Sequence, residues 1–103
     1  LKILQLNAGR AYLAMCEVSQ VMRENGCCIA LIQEPYADVS GRILGLPDTM
    51  QVYANREVSA AVVVDDNSIQ CVVYSGIGDH GIAVRCEGTF GVLIVTSVYC
   101  RFS

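Results

Sequence analysis

Two polar side chains come directly after runs of residues that have the length and pattern of β-strands. Asn7 follows residues 1–6, in which apolar and polar residues alternate, and Glu34 comes shortly after the apolar run of residues 28–32. An amide oxygen and a carboxylate are hard ligands suited to Mg²⁺, which commonly takes only one or two carboxylates from a protein. If the two strands are parallel neighbours, both groups lie at the sheet edge where ligands bind in open α/β folds.

Each of these residues also has a purely structural interpretation. Asn7 is a favoured residue type at the cap position of a helix that follows it. Glu34 is compatible with a solvated carboxylate in the loop before Pro35, because strand-end polarity is common in loops. Position alone therefore leaves a metal or phosphate site and an ordinary loop edge as alternatives.

The elements around these residues form a strand, a helix and a second strand. Apolar residues recur at helical spacing on one side of a predicted helix, and Gly26 is placed to end it in the left-handed conformation. The apolar side comprises Ala11, Ala14, Met15, Val18, Val21 and Met22, and the polar side comprises Arg10, Glu17, Gln20 and Glu24. The continuous apolar run of residues 28–32 is typical of a parallel strand covered on both faces. The pattern predicts a βαβ unit.

The remainder of the chain has the pattern of antiparallel strands. A loop with four Gly or Pro breakers is predicted for residues 34–48. Strand-like runs follow at residues 51–54, 60–64, 69–74, 82–86 and 91–99, and turn clusters at 65–68, 76–79 and 87–89 are typical of hairpin connections. The sequence therefore predicts an α/β fold with a mixed sheet, in which an N-terminal βαβ unit leads into antiparallel strands.

Composition and charge narrow the function classes. The 103 residues are 53% hydrophobic and 17% charged, against about 25% charged in ordinary soluble domains. This excess predicts strands buried on both faces, or a face that expects a partner. The net charge of −3 is opposite to the basic surface expected of a nucleic-acid-binding protein. No apolar stretch approaches the roughly 18 residues that a membrane span needs, so no membrane partner is expected.

The six cysteines show no C-x-x-C spacing of the kind that binds zinc. They are interpreted as small buried hydrophobes in a reducing compartment, which predicts an intracellular protein, nuclear or cytoplasmic and not secreted. A disulfide framework is the alternative. The adjacent Cys27 and Cys28 are expected on opposite faces of the chain as it enters a strand.

Short motifs then occur in a recognisable order. Residues 4–7 (Leu-Gln-Leu-Asn) precede the helix, and residues 31–36 (Leu-Ile-Gln-Glu-Pro-Tyr) follow it. This order resembles the opening of the endonuclease/exonuclease/phosphatase superfamily, and the Gln-Glu-Pro-Tyr form is similar to the endonuclease domain of non-LTR (LINE-type) retrotransposons. Residues 59–64 resemble a further strand of those domains, and residues 96–99 (Thr-Ser-Val-Tyr) resemble the strand that delivers an active-site tyrosine.

The resemblance implies roles for three residues. Glu34 is expected to hold a divalent metal, Mg²⁺ or Mn²⁺, and Asn7 is expected to be a second metal ligand or a phosphate donor. Tyr99 is expected to contact the phosphate, so the three together are the candidate catalytic residues. For Tyr99 the alternative is an aromatic residue that packs on its neighbours in a sheet. Gly9 stands where many members of the family have an Asp.

The family's later motifs, Gly-Asp-x-Asn and Ser-Asp-His, do not follow Tyr99 within the 103 residues. The resemblance therefore implies that residues 1–103 are the N-terminal part of a single endonuclease domain, truncated at the C-terminus, and one half of a four-layer α/β sandwich. Its expected partners are DNA, through the complete parent domain, and the missing C-terminal half. The isolated piece is expected to be inactive, because the Asp and His that would activate the water belong to the missing half. It is also expected to self-associate, because it would supply mainly one of two packed sheets and leave that sheet's inner face uncovered.

Other interpretations stay open at this point. One is a phosphodiesterase of the same superfamily that acts on a non-DNA phosphoester, such as a phospholipid or an inositol phosphate. Another is a non-catalytic α/β interaction module, and a third is a decayed copy of a mobile element. Residues 78–80 (Gly-Asp-His) look like the family's last motif but are predicted to be a hairpin turn. Arg10 is interpreted mainly as a charge on the helix face, with an approach to phosphate as the alternative.

Overall fold

The computed structural model of the chain describes residues 1–74 and 80–100. Within them it contains one helix and seven strands. In chain order these are β1 (Ile3–Asn7), α1 (Tyr12–Glu24), β2 (Ile29–Gln33), β3 (Gln51–Ala54), β4 (Ala60–Val64), β5 (Gln70–Tyr74), β6 (Gly81–Gly88) and β7 (Gly91–Val98). The predicted α/β class and the order of the elements are confirmed.

The helix α1 buries the predicted apolar stripe. Met15, Val18 and Met22 are fully buried against the first sheet, whereas Ala11 is the exposed residue that precedes the helix. Gly26 follows with a φ of +66°, as expected for a residue that ends a helix in the left-handed conformation. The helix therefore covers one face of the sheet that carries Asn7 and Glu34.

The first sheet has the strand order β1-β2-β4-β3, and β1 and β2 are parallel neighbours. The other two pairs, β2 with β4 and β3 with β4, are antiparallel, so the sheet is mixed as predicted. All five residues of β4 are buried because neighbours cover both its edges and both its faces. This central position explains the unbroken apolar sequence Ala-Ala-Val-Val-Val.

The second sheet contains β5, β6 and β7 in antiparallel order. The hairpin predicted at residues 65–68 is wrong, because β4 and β5 do not pair and instead belong to different sheets. This segment carries the chain from one sheet to the other. The hairpin between β6 and β7 is confirmed, with Thr89 and Phe90 at its tip. The pairing of β5 with β6 also confirms a hairpin there, and its predicted turn at residues 76–79 lies outside the described residues.

Two apolar clusters hold these layers together. One lies between α1 and the first sheet, and the other lies between the two sheets. Cys27 packs against the first cluster and Cys28 against the second, which confirms that the two adjacent cysteines face opposite sides. The order of layers is therefore helix, first sheet, second sheet.

The expectation that the inner face of the first sheet would be uncovered is wrong. The second sheet covers it with Ile82, Val84 and Val95, so the chain supplies three strands of the opposing sheet as well. An exposed apolar surface lies instead on the outer face of the second sheet, which includes Val72 and Ile94. The two are cross-strand neighbours through their shared partner on β6. Self-association of the chain stays a prediction, with this outer face as its physical reason.

The cysteines are all free thiols, but their burial differs from the expectation. Only Cys86 is buried, Cys27, Cys28 and Cys71 are half-buried, and Cys16 and Cys100 are exposed. The expectation of buried thiols therefore holds for Cys86, holds in part for the three half-buried thiols, and fails for Cys16 and Cys100. In the part of the chain that the structure describes, no helix has the length and apolar character needed to span a bilayer.

Candidate functional site

The ends of the parallel strands β1 and β2 bring Asn7 and Gln33 side by side as register partners. Glu34 is the next residue, so both predicted polar residues lie at one edge of the first sheet, which we call the carboxyl edge. The loop between β3 and β4, residues 55–59, reaches the same edge, because the backbone N–H of Glu34 donates to the Ser59 carbonyl at 2.8 Å. The predicted convergence of Asn7 and Glu34 thus follows from the parallel pairing.

Asn7 does not cap the helix. The residue at the cap position is Ala11, which makes no side-chain capping bond, so the helix-cap interpretation of Asn7 is wrong. The Asn7 side chain is exposed, and its Oδ1 accepts a hydrogen bond from the Gly9 N–H at 2.9 Å. This bond shapes the loop after β1, in which Gly9 and Arg10 both have a φ of +58°. Asn7 therefore sits at the base of a tight loop beside Glu34.

Glu34 has a backbone conformation that is unfavourable for a residue with a side chain. Its φ is +51°, in the left-handed region where few residues other than glycine occur. The neighbouring backbone holds it there from two sides, since its N–H donates to Ser59 and its carbonyl accepts from the Arg10 N–H, each at 2.8 Å. The Glu34 side chain is half-buried. A strained residue fixed by its surroundings is a frequent feature of functional sites.

Behind Glu34, a buried polar pair joins the two sheets. The Gln33 side chain points toward the second sheet, and its Nε2 donates to the Ser97 hydroxyl at 3.0 Å. The Ser97 hydroxyl in turn donates to the Ile32 carbonyl at 2.9 Å, and Ser97 is completely buried. Sequence reasoning missed this contact. The only available signal was that Gln33 and Ser97 stand at positions of their strands that alternation places in the core.

Tyr99 comes directly after β7. Its N–H donates to the His80 carbonyl at 2.8 Å, so it continues the antiparallel hydrogen-bond ladder between β6 and β7. By alternation it shares the inward side of the strand with Val95 and Ser97. Since Ser97 contacts the end of β2, the chain delivers the half-buried Tyr99 to the carboxyl edge from the second sheet. The structure thus brings the three sequence-predicted residues to one end of the molecule, two from the first sheet and one from the second.

Two further predictions concern charged residues at this edge. Arg10 is not on the helix face, because α1 begins two residues later; its backbone binds Glu34 directly, and its side chain is exposed. His80 also lies at this edge, where its Nδ1 is 3.5 Å from Oε2 of Glu57. The His80 ring is largely exposed, and its two preceding residues in the Gly-Asp-His run lie outside the described residues. Arg10 and His80 thus both lie near the ends of β1 and β2.

A cleft of about 460 Å³ is lined by the residues that follow Glu34, from Pro35 to Gly41, and by Arg10 and residues 56–58. Its walls carry Arg10 and Arg56 together with Asp38 and Glu57, so the two charge types balance there. Hydrogen bonds to Asp38, first from the Ser40 hydroxyl, hold the pKa of its carboxyl below the ordinary value. The carboxylate of Asp38 is thus kept ionised and occupied in shaping its own loop.

The oxygen donors at the carboxyl edge are of the chemical type that hard divalent cations prefer. Glu34 offers a carboxylate and Asn7 an amide oxygen, and Mg²⁺ commonly uses one or two carboxylates and keeps several waters. Across residues 1–74 and 80–100, no group of three or more His, Cys, Asp or Glu side chains is close enough to form a metal site. Asn7 and Glu34 are thus two oxygen donors of the kind that Mg²⁺ uses, and a magnesium site at this edge stays a prediction.

Comparisons with known proteins found similar proteins among those of retrotransposons. No family model matches the chain. It is 32% identical over 100 residues to a 115 kDa protein in the type-1 retrotransposable element R1DM of Drosophila melanogaster, a match that covers 96% of this chain and 10% of that protein. Its structure is similar to the endonuclease domain of TRAS1, a telomere-specific non-LTR retrotransposon, with a TM-score of 0.79 and 26% identity. That match covers 96% of this chain and 45% of the TRAS1 chain.

Proposed function

We propose, on the premise that this chain belongs with the endonuclease domains of non-LTR retrotransposons, that it is part of a divalent-metal-dependent endonuclease that hydrolyses DNA. The observation that carries the proposal is the meeting of Asn7, Glu34 and Tyr99 at the carboxyl edge. Asn7 and Glu34 end neighbouring parallel strands, and the Gln33–Ser97 contact brings β7 to the same end. Polar residues from three separate elements therefore lie at the same end of the molecule, and this arrangement supports a phosphodiesterase site there.

In this proposal Glu34 and Asn7 hold the divalent cation, Mg²⁺ or Mn²⁺, through their side-chain oxygens. The cation supplies Lewis-acid stabilisation of charge on the phosphate. The hydroxyl of Tyr99 donates a hydrogen bond to a nonbridging phosphate oxygen, and the backbone bond from Tyr99 to His80 fixes the direction of approach. The exposed Arg10 guanidinium attracts the DNA backbone to this edge.

The chain spans less than half of the TRAS1 domain and about a tenth of the R1DM protein. We therefore propose that the groups that activate the attacking water belong to the part of the domain that this chain does not include. The described residues bind, orient and neutralise a phosphate, and cleavage needs the remainder. On this basis the 103-residue chain alone does not cleave DNA.

One observation favours a second candidate. The net charge of −3 gives no general attraction for DNA, and the cleft lined by residues 35–41 balances arginines with carboxylates. A small phosphodiester could use the same three residues without an extended basic surface. The substrate therefore needs a direct test, with DNA and a small phosphodiester compared on the same protein.

The first experiment follows Mn²⁺ binding by NMR. Paramagnetic Mn²⁺ broadens the signals of nuclei close to it, so a site at the carboxyl edge predicts selective loss of the Asn7 and Glu34 signals. Glu34→Gln should abolish this effect because it removes the charged ligand. The matched control is Glu17→Gln on the exposed face of α1, which should leave it unchanged. Broadening that is absent, or that survives Glu34→Gln, would contradict the proposed site.

The second experiment tests the chemistry. The chain is incubated with supercoiled plasmid and Mg²⁺, and in parallel with bis(p-nitrophenyl) phosphate. We expect neither to be cleaved by the 103-residue chain. Nicking that persists in Glu34→Ala would overturn both the assigned site and its incompleteness. Metal binding at Glu34 with cleavage of the small ester alone would favour the second candidate, and no metal binding at all would favour an interaction module.

A further inference from the structure

The candidate site is divided between two sheets, so its geometry depends on how the sheets are placed. Glu34 is fixed to the first sheet by its backbone bonds to Ser59 and Arg10. Tyr99 belongs to the second sheet through its bond to His80. Most of the contact between the sheets is apolar, from residues such as Val62 and Val84. Apolar packing is non-directional, so it resists separation of the sheets better than a small slide of one over the other.

Ser97 supplies a directional contact at the end of the interface where the site lies. Its hydroxyl uses both of its functions across the interface, as donor to the Ile32 carbonyl at 2.9 Å and as acceptor from Gln33 at 3.0 Å. Both partners immediately precede Glu34, and Ser97 precedes Tyr99 by two residues. At about 3.3 Å per residue in a strand, the contact is roughly 7 Å along the chain from Tyr99. It is thus adjacent to both halves of the site.

The chemistry of this position argues against simple filling of space. Ser97 is 0% exposed and lies on the same inward side of β7 as the apolar Val95. A buried hydroxyl costs free energy unless it is hydrogen-bonded, whereas an apolar residue there would need no partner. Here the hydroxyl is fully engaged, and no buried side-chain nitrogen or oxygen of the described residues lacks a partner. Satisfied buried polar contacts specify one arrangement of packed layers more sharply than apolar contacts do.

We infer that Ser97 is a positioning residue, whose hydroxyl bonds to Ile32 and Gln33 set Tyr99 relative to Glu34. The inference rests on the proposed function, because it assigns a role within that site. Ser97 itself touches neither the phosphate nor the metal. It acts through the strand ends that carry the groups that do. Loss of the hydroxyl should therefore move Tyr99 away from Glu34 while leaving the glutamate in place.

The test uses Mn²⁺ as the probe and the intact chain labelled for NMR. In the wild type, Mn²⁺ should broaden the signals of Asn7, Glu34 and the Tyr99 ring. In Ser97→Ala the broadening at Asn7 and Glu34 should persist, whereas that of the Tyr99 ring should be lost. Ser97→Thr keeps the hydroxyl and should restore it. A merely structural role would alter all three residues together or none of them.

The outcomes of this experiment distinguish the positioning role of Ser97 from the proposed metal site. No broadening at Glu34 in the wild type would overturn the proposed function, and the role of Ser97 with it. Broadening of the Tyr99 ring that is unchanged in Ser97→Ala would overturn the role of Ser97 alone, as would its loss in Ser97→Thr with the fold intact. If Ser97→Ala fails to fold, as its amide spectrum would reveal, Ser97→Cys replaces it. That variant replaces the hydroxyl oxygen by a somewhat larger sulfur that is only a weak donor, so it should also lose the Tyr99 effect.

Discussion

Glu34 is held in a conformation that glycine adopts without strain, so replacing it by glycine should stabilise the fold relative to alanine. A residue with a Cβ loses roughly 1–2 kcal/mol in the left-handed region. Its neighbour Pro35 adds to the crowding, because the proline ring clashes with the Cβ of the residue before it. Against this, glycine gains more freedom in the unfolded chain, by about 0.4–1 kcal/mol. The difference favours Glu34→Gly over Glu34→Ala by about 1 kcal/mol.

Thermal unfolding followed by circular dichroism measures this difference. For a domain of this size, 1 kcal/mol corresponds to a shift in Tm of about 4–8 °C. Both variants remove the carboxylate, so the comparison isolates the backbone term. The matched control is the pair Glu17→Gly and Glu17→Ala on the exposed face of α1, where the sign should reverse because glycine costs about 1 kcal/mol in a helix. If Glu34→Gly melts at or below Glu34→Ala while the control pair behaves as expected, the reasoning about strain is refuted.

Three further predictions follow from other contacts. Arg10→Ala should weaken binding about equally for all DNA sequences. It should also reduce the slope of the logarithm of the DNA-binding constant against the logarithm of the salt concentration by roughly 1. Fluorescence anisotropy at several salt concentrations measures this slope, and an unchanged slope would show that Arg10 does not contact a phosphate. Burial, and then the neighbouring Cys71, raises the pKa of the Cys86 thiol to about 11. Iodoacetamide at pH 8 should therefore alkylate the exposed Cys16 well before Cys86 in the folded chain, and equal rates by mass spectrometry would contradict the burial. Hydrogen bonds to Asp66, first from the Ser68 hydroxyl, lower the pKa of its carboxyl from 3.8. The Asp66 carboxylate therefore stabilises the fold above pH 3.8, and this stabilisation is lost as the pH falls below 3.8. Asp66→Ala should flatten the acid limb of a plot of unfolding free energy against pH. An acid limb that is unchanged in this variant would contradict the prediction.

The fold was predictable where local pattern and packing agree. The buried strands β2 and β4 are continuous apolar runs because each is covered on both faces, and the stripe of α1 is visible because one face alone is buried. Residues 65–68 were wrongly predicted to form a hairpin between β4 and β5, because their local hydrogen bonds are those of a turn. Asp66 accepts hydrogen bonds from the N–H and hydroxyl of Ser68, as it would at the tip of a hairpin. The choice of the next pairing partner depends on distant strands, and no residue in the turn encodes it.

The candidate site was predictable to a similar extent. The meeting of Asn7 and Glu34 follows from two parallel strands, a rule that needs only their order and length. The left-handed conformation of Glu34 did not follow, because glutamate has no preference for it and only the bonds from neighbouring loops impose it. The contact between Gln33 and Ser97 joins residues 64 positions apart, so it depends on how the two sheets pack. Sequence pattern thus located the edge of the site and not the contacts that hold it together.

The crossing at residues 65–68 also makes this chain divisible. A cut there interrupts no strand, and it leaves Asn7 and Glu34 on one piece and Tyr99 on the other. The two pieces then share the apolar interface, the contacts of Ser97 and a few other polar contacts, such as that of His80 with Glu57. In such a split protein, noncovalent reassembly rather than chain connectivity would bring the tyrosine to the glutamate. The recovery of the site would then report on the docking of the two sheets.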